Sequence, residues 1–252
     1  MINGARNDRS FRKKCRLKQN IENNCVRHSN LLRDNQIYFY HSVRLWRAYY
    51  SPMMNDINAV QRHLLQLMTE VDIISEEFPS VMLRRYIRPS VFKNYFSIYE
   101  LFTNNLLSLW LKAHPGILSE RTISFRDFYH ASSKERVIDD VIESEIIGIL
   151  YKNPRDVIHF IYRKFLGKNY HNSLTHDMIA YLVELKALRD VLEHNDGRIN
   201  KPYLEKAGDK NRGNDGESIE ISDDILLESY ELLMQMIEII TKDFLNKLET
   251  SL

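Results

Sequence analysis

The chain has 252 residues, a formal net charge of +1 and 44% hydrophobic residues. Its length suits one large domain or one domain with an extension. A charge so close to zero provides no overall field to attract nucleic acid or an anionic membrane. No apolar run approaches the roughly 20 residues of a membrane-spanning helix, and the first residues lack the apolar segment of a signal peptide. We therefore expect a soluble cytoplasmic protein without a membrane partner.

The N-terminal part is more basic than the rest, with nine Lys or Arg against three Asp or Glu among residues 1–36. This composition is typical of a flexible or loosely helical arm, which could touch RNA or simply be a solvated tail. The aromatic segment 37–50, IYFYHSVRLWRAYY, could be helix or strand. We expect residues 1–50 to be a basic, poorly specified extension and residues 51–252 to be a helical domain.

From residue 55 onward, apolar residues recur at three- and four-residue steps, the spacing that places them on one face of an α-helix. A connection is predicted at 77–90, and SIEIS at 218–222 could form a short β element. Together these patterns predict an all-α bundle of five to eight helices. The predicted N-caps are Ser90, Ser132, Asn153, Thr175 and Ser222, and the predicted helix ends are at 114–116 and Gly167.

The segment LRDVLEHNDG at 188–197 carries the most chemically suggestive residues. Arg189 and His194 are five positions apart, roughly 140° around a straight helix, so we expect them to converge only if the helix frays or ends there. Asn195 and Gly197 both tolerate the left-handed conformation of a helix end. Asp190 could orient the imidazole, whereas a surface pair with Glu193 would compete for Arg189.

One Arg and one His have a narrow chemistry. Imidazole removes or delivers a proton near neutral pH, and guanidinium binds phosphate oxygens and stabilises charge that develops on them. Together they suit RNA cleavage in which the ribose 2′-OH attacks the adjacent phosphate, and this needs no metal or cofactor. The alternative is an exposed ion pair beside a histidine that merely ends a helix.

The motif resembles that of the HEPN superfamily of small helical domains, an Arg followed by a polar residue, three further residues and His near a helix end. Here these are Arg189, Asp190 and His194, and the following NDGRINKPYL resembles the continuation in many bacterial members. The segment 91–110 resembles the early helix of such proteins, with Glu100 at the position of an acidic residue facing the site. The segment 124–167 resembles their helical insert.

This resemblance implies an all-α HEPN-like bundle that forms a homodimer, with two motifs facing each other in one composite site. It implies a metal-independent endoribonuclease that leaves 2′,3′-cyclic phosphate ends and acts as a toxin or defence-type effector. His194 would be the general acid or base, Arg189 would hold the scissile phosphate, and Asp190 would orient them. Asn195 and Glu100 would contact substrate or, for Asn195, the turn.

Alternatives remain open at this stage. The chain could be a non-catalytic HEPN module that binds RNA, a nucleotide or a partner protein, or a structural helical scaffold without a cleft at the motif. An antitoxin could be a partner. One subgroup is regulated by modification of a tyrosine two residues after the histidine, and Asp196 stands at that position, so this form of regulation is not expected.

Other polar clusters favour structural interpretations. His171 and His176 are expected to be capping or solvent-exposed residues rather than metal ligands, and Cys15 and Cys25 are expected to be free thiols. Two further groups are an acidic helical face at Asp139, Asp140, Glu143 and Glu145, and a basic cluster at Arg84, Arg85 and Arg88 that could contact an RNA backbone.

Overall fold

The computed structural model describes residues 2–53 and 83–250, and within these ranges the chain is helical and contains no β-strand. This confirms the predicted all-α class. The eight α-helices of the described part are α1 (Ile2–Met53), α2 (Arg88–Ala113), α3 (Phe125–His130), α4 (Lys134–Leu150), α5 (Pro154–Phe160), α6 (His176–His194), α7 (Lys201–Ala207) and α8 (Asp223–Thr250). The helix predicted from residue 55 lies outside the described residues.

Helix α2 is the centre of the bundle and packs against α1, α4, α6 and α8. Its buried positions extend around much of its circumference, because apolar residues occupy adjacent positions in every turn. At its C-terminal end, Trp110 meets Phe244 of α8 edge to face, with 4.8 Å between ring centroids. This central position places Glu100, in the middle of α2, against α6.

The composition of residues 1–36 suggests a flexible or loosely helical arm, and the structure has helix α1 in this part of the chain. It is one continuous helix, and one side of it lies in the core against α2 and α8. Polar residues of this side also bond to α2, since Asn24 Nδ2 donates to the carbonyl oxygen of Phe102 at 3.2 Å. The predicted division of the chain into an extension, residues 1–50, and a helical domain, residues 51–252, stays a prediction. Helix α1 shares a hydrophobic core with α2 and α8. Among residues 12–41 of this helix, the buried apolar residues are Leu17, Ile21, Leu32 and Phe39.

Capping residues set most of the helix boundaries. Side-chain oxygens of Asn153, Thr175 and Ser222 accept backbone N–H groups at the starts of α5, α6 and α8, which confirms those predictions. Two predicted caps are wrong. Helix α4 is capped by Ser133 rather than Ser132, and α2 begins at Arg88, continuing a π-helical turn, so Ser90 lies inside it.

The polar loop 208–222 returns to the turn between α6 and α7. Ile219 N donates to the carbonyl oxygen of Gly197 at 2.8 Å, and Ile199 N donates to that of Glu217 at 2.8 Å. Within the described residues, the expected β element at 218–222 is reduced to an isolated antiparallel bridge between Arg198 and Ser218. These hydrogen bonds hold residues 197–199, which follow α6, against the loop.

Among the described residues, no helix combines the length and apolar character needed to cross a membrane.

Candidate functional site

An open cleft of about 710 Å³ lies between α2, α4, α6 and α7. Four of the five predicted site residues line it, namely Glu100, Arg189, Asp190 and His194. Further lining residues come from three elements: Ile147, Leu150 and Tyr151 from the end of α4, Lys186, Ala187 and Val191 from α6, and Asn200, Pro202, Tyr203 and Lys206 from the start of α7.

Helix α6 carries the motif and ends at His194, as the sequence predicts. Its apolar side is fully buried, which fixes the rotation of the helix about its axis. Residues at steps of three and four, Ala187, Asp190 and His194, then follow the cleft. Arg189 lies beside this stripe and also lines the cleft, where its guanidinium pairs with Glu100 and Asp190.

The turn after His194 reverses the chain with two residues in the left-handed region, Asp196 at φ 48° and Gly197 at φ 73°. Of the two residues that tolerate this conformation, Gly197 adopts it, whereas Asn195 has φ −136°. Its side-chain amide donates to the carbonyl oxygen of Arg198, and Asn195 is not among the residues that line the cleft. This geometry favours a turn contact for Asn195 over a substrate contact.

Glu100 joins the two cations that α6 presents to the cleft. Its Oε1 atom accepts from Arg189 Nη2 at 2.8 Å and from Lys186 Nζ at 3.0 Å. All three side chains are partly buried, so this network is less screened than a surface pair. The carboxylate therefore holds the guanidinium at the cleft wall.

Asp190 also contacts cations, and the contact is looser. Its Oδ1 lies 3.5 Å from Arg189 Nη1, and its Oδ2 lies 3.5 Å from Lys206 Nζ of α7. This differs from the expected contact with His194, since both carboxylate oxygens face cations. The expected competitor Glu193 points elsewhere and pairs with Lys93 at 3.5 Å.

A buried polar cluster behind the cleft holds α7 and the following loop on α6. Glu184 is completely buried, and Arg212 forms a two-pronged pair with it, from Nε at 2.9 Å and Nη2 at 3.2 Å. Tyr203 Oη donates to the same carboxylate at 2.9 Å. Burial raises the pKa of Glu184 above its ordinary value, against the opposing effect of Arg212. This cluster holds α7 against α6, and so it fixes the position of Lys206 and of the N-cap Asn200 in the cleft.

Sequence reasoning missed Lys186, Lys206, Arg212 and Tyr151. Lys186 had a local signal, because it lies one turn before Arg189 on the same helix. The other three come from α7, a loop and the end of α4, and only tertiary packing brings them to α6.

The remaining polar clusters are mostly paired. Arg88 pairs with Asp223 at 2.8 Å, Lys112 with Asp139 at 3.0 Å, and Arg121 with Glu145. No group of three or more His, Cys, Asp or Glu side chains within the described ranges could hold a metal ion. Cys15 is exposed, Cys25 is half-buried, and neither forms a disulfide.

Comparison with family models, curated proteins and solved structures finds no match to this chain. The HEPN resemblance thus rests on the motif and its neighbouring segments.

Proposed function

We propose that this protein is a metal-independent endoribonuclease of the HEPN type. The observation that carries the proposal is that Arg189 and His194 line one open cleft, together with Lys186 and Lys206. This combination offers cations for a phosphodiester and an imidazole for proton transfer at the same place. The cleft is also large enough for part of an RNA strand.

In the proposed reaction, the ribose 2′-oxygen attacks the adjacent phosphorus and the bond from phosphorus to the 5′-oxygen breaks. One imidazole takes the proton of the 2′-OH, and another group delivers a proton to the leaving 5′-oxygen. The products are a 2′,3′-cyclic phosphate and a 5′-OH. Because one His194 cannot hold both roles in a single step, we place two copies of the motif face to face in a homodimer.

Arg189 would bind the non-bridging oxygens of the scissile phosphate and stabilise the charge that grows on them. Glu100 and Asp190 keep this guanidinium at the cleft wall. The incoming phosphate competes with Glu100 for the same donors, so Glu100 acts as a positioning residue. By resemblance, we assign the enzyme to the toxin or defence-type effectors, which could be controlled by an antitoxin.

The second candidate is a non-catalytic module that binds RNA, a nucleotide or a partner protein. One observation favours it: both oxygens of Asp190 face cations, so this carboxylate is not engaged in orienting His194. Such a protein would bind through the same cleft without cleaving.

The test is RNA cleavage in EDTA by the purified protein beside His194→Ala and Arg189→Ala. His176→Ala, an exposed histidine at the opposite end of α6, and Arg27→Ala, an exposed arginine of α1, are the matched controls. We expect both cleft variants to lose at least about 100-fold in rate, as loss of a positioned acid–base group does, and both controls to keep the wild-type rate. Binding without cleavage by the wild type would favour the second candidate.

A further inference from the structure

The two sides of the cleft differ in chemistry. One side carries three cationic side chains, Lys186 and Arg189 of α6 and Lys206 of α7, which outnumber the two carboxylates they pair with there. The end of α4 supplies apolar and aromatic side chains instead, Ile147, Leu150 and Tyr151. A cleft with one cationic and one aromatic side matches the two halves of a nucleotide, a charged phosphate and a flat base.

Tyr151 is the most notable residue of the aromatic side, because 88% of its surface is exposed to solvent. Its backbone is nevertheless fixed as the C-cap of α4, where its N–H donates to the carbonyl oxygen of Ile147 at 3.2 Å. Ile147 is exposed beside it. Exposed tyrosines on a firmly held backbone are typical of stacking platforms for bases, since the ring is available and its position costs little entropy to fix.

We propose that this cleft binds an unstacked nucleotide of single-stranded RNA, with Tyr151 stacking on the base and Lys206 and Lys186 holding the flanking phosphates. The inference rests on the proposed function, and it assigns Tyr151 as the residue of that site that holds a base. A base inside a duplex is already stacked between its neighbours and cannot lie on Tyr151. Tyr151 can therefore contribute only to the binding of unpaired nucleotides.

The experiment measures binding alone, so that it does not depend on cleavage. The probes are a labelled single-stranded 2′-O-methyl RNA, which lacks the attacking hydroxyl, the same strand with abasic sugars, and a matching duplex. The variants are Tyr151→Ala, Tyr151→Phe and Lys206→Ala. Tyr129→Ala is the matched control, because this tyrosine of α3 is 72% exposed and is not among the residues that line the cleft.

We expect Tyr151→Ala to weaken binding of the base-bearing strand by about 5- to 100-fold, the usual effect of losing one stacking partner. Binding of the abasic strand should not change in this variant. Tyr151→Phe should bind like the wild type, because the aromatic face is kept, and Tyr129→Ala should also be unchanged. Lys206→Ala should weaken the base-bearing and abasic strands alike, and the duplex should bind more weakly than the single strand.

Four results would overturn the inference. The first three are wild-type binding by Tyr151→Ala, an equal loss of this variant's affinity for abasic and base-bearing strands, and duplex binding as tight as single-strand binding. The fourth is a loss of affinity that follows a change in the oligomeric state of Tyr151→Ala, which sedimentation measures. Cleavage independent of Tyr151 contradicts only this inference. Tyr151-dependent binding without any cleavage of natural RNA contradicts only the proposed catalysis.

Discussion

In the proposed function, Glu100 holds Arg189 in place and also competes with the phosphate that Arg189 would bind. Glu100 takes the guanidinium at 2.8 Å and the ammonium of Lys186 at 3.0 Å. A phosphate that enters the cleft must share or displace this carboxylate. The same contact has two consequences, since it keeps Arg189 in place and lowers the positive charge available to RNA.

Replacing Glu100 by Gln separates these two consequences. We expect Glu100→Gln to bind single-stranded RNA several-fold more tightly, because one opposing charge is removed from the cleft. The single-turnover cleavage rate should fall, because Arg189 loses its strongest positioning contact. Affinity is measured with uncleavable RNA and rate with cleavable RNA. Glu193→Gln, which affects only the pair with Lys93, is the control, and weaker RNA binding by Glu100→Gln would contradict the expectation.

Helix α1 is the element that the composition described least well. Its buried side offers only about one residue per turn to the core, and polar residues such as Asn24 and His28 share that side. The apolar content of the segment is therefore low although its burial is high. Composition averages over all faces of a helix and cannot detect so narrow a stripe.

Core substitutions test whether α1 docks as described. Ile21 and Leu32 are fully buried, so Ile21→Ala and Leu32→Ala should each lower the free energy of unfolding by about 2–5 kcal/mol. Val26, which is 59% exposed on the same helix, provides the control Val26→Ala, with a loss below about 1 kcal/mol. Urea denaturation measures all three. Equal effects of the buried and exposed substitutions would show that α1 does not pack on α2 and α8.

Local signals predicted the parts of the fold that local chemistry determines. Asn153, Thr175 and Ser222 cap helices as their side chains suggest, and the motif helix ends where the NDG turn begins. The sequence also predicts four residues that meet in the cleft. The aromatic side and the Arg212 cluster were not predictable, because they depend on how α4 and the loop 208–222 pack on α6, and short-range patterns carry no such information.

At the scale of the whole molecule, a second buried carboxylate should make the stability of the fold depend on pH. Asp243 of α8 accepts from Lys168 Nζ at 2.6 Å and from Tyr162 Oη at 2.7 Å, which ties the segment after α5 to the last helix. Burial by itself would raise the pKa of Asp243. The hydrogen bonds from Lys168 and Tyr162 outweigh it, so the pKa lies below the ordinary 3.8.

A carboxylate with a lowered pKa in the folded state stabilises the fold above its unfolded-state pKa, and this contribution is lost as the pH falls through the lowered value. We expect the free energy of unfolding to decrease below pH 3.8 for this reason. Asp243→Asn should be less stable at neutral pH. Its free energy of unfolding, measured by denaturation at a series of pH values, should fall less steeply below pH 3.8 than that of the wild type. Asp139→Asn, at an exposed pair with Lys112, should keep the wild-type profile. A wild-type acid limb in Asp243→Asn would contradict the assignment.

The most direct test of the central claim is the chemistry of the ends that the purified protein leaves on single-stranded RNA in EDTA. The account predicts 2′,3′-cyclic phosphate and 5′-OH ends from the wild type, and neither end from His194→Ala or Arg189→Ala. Ends of the opposite kind, 3′-OH and 5′-phosphate, would contradict it, because attack by the 2′-oxygen cannot produce them. Cyclic ends produced equally by the two variants would place the chemistry outside this cleft.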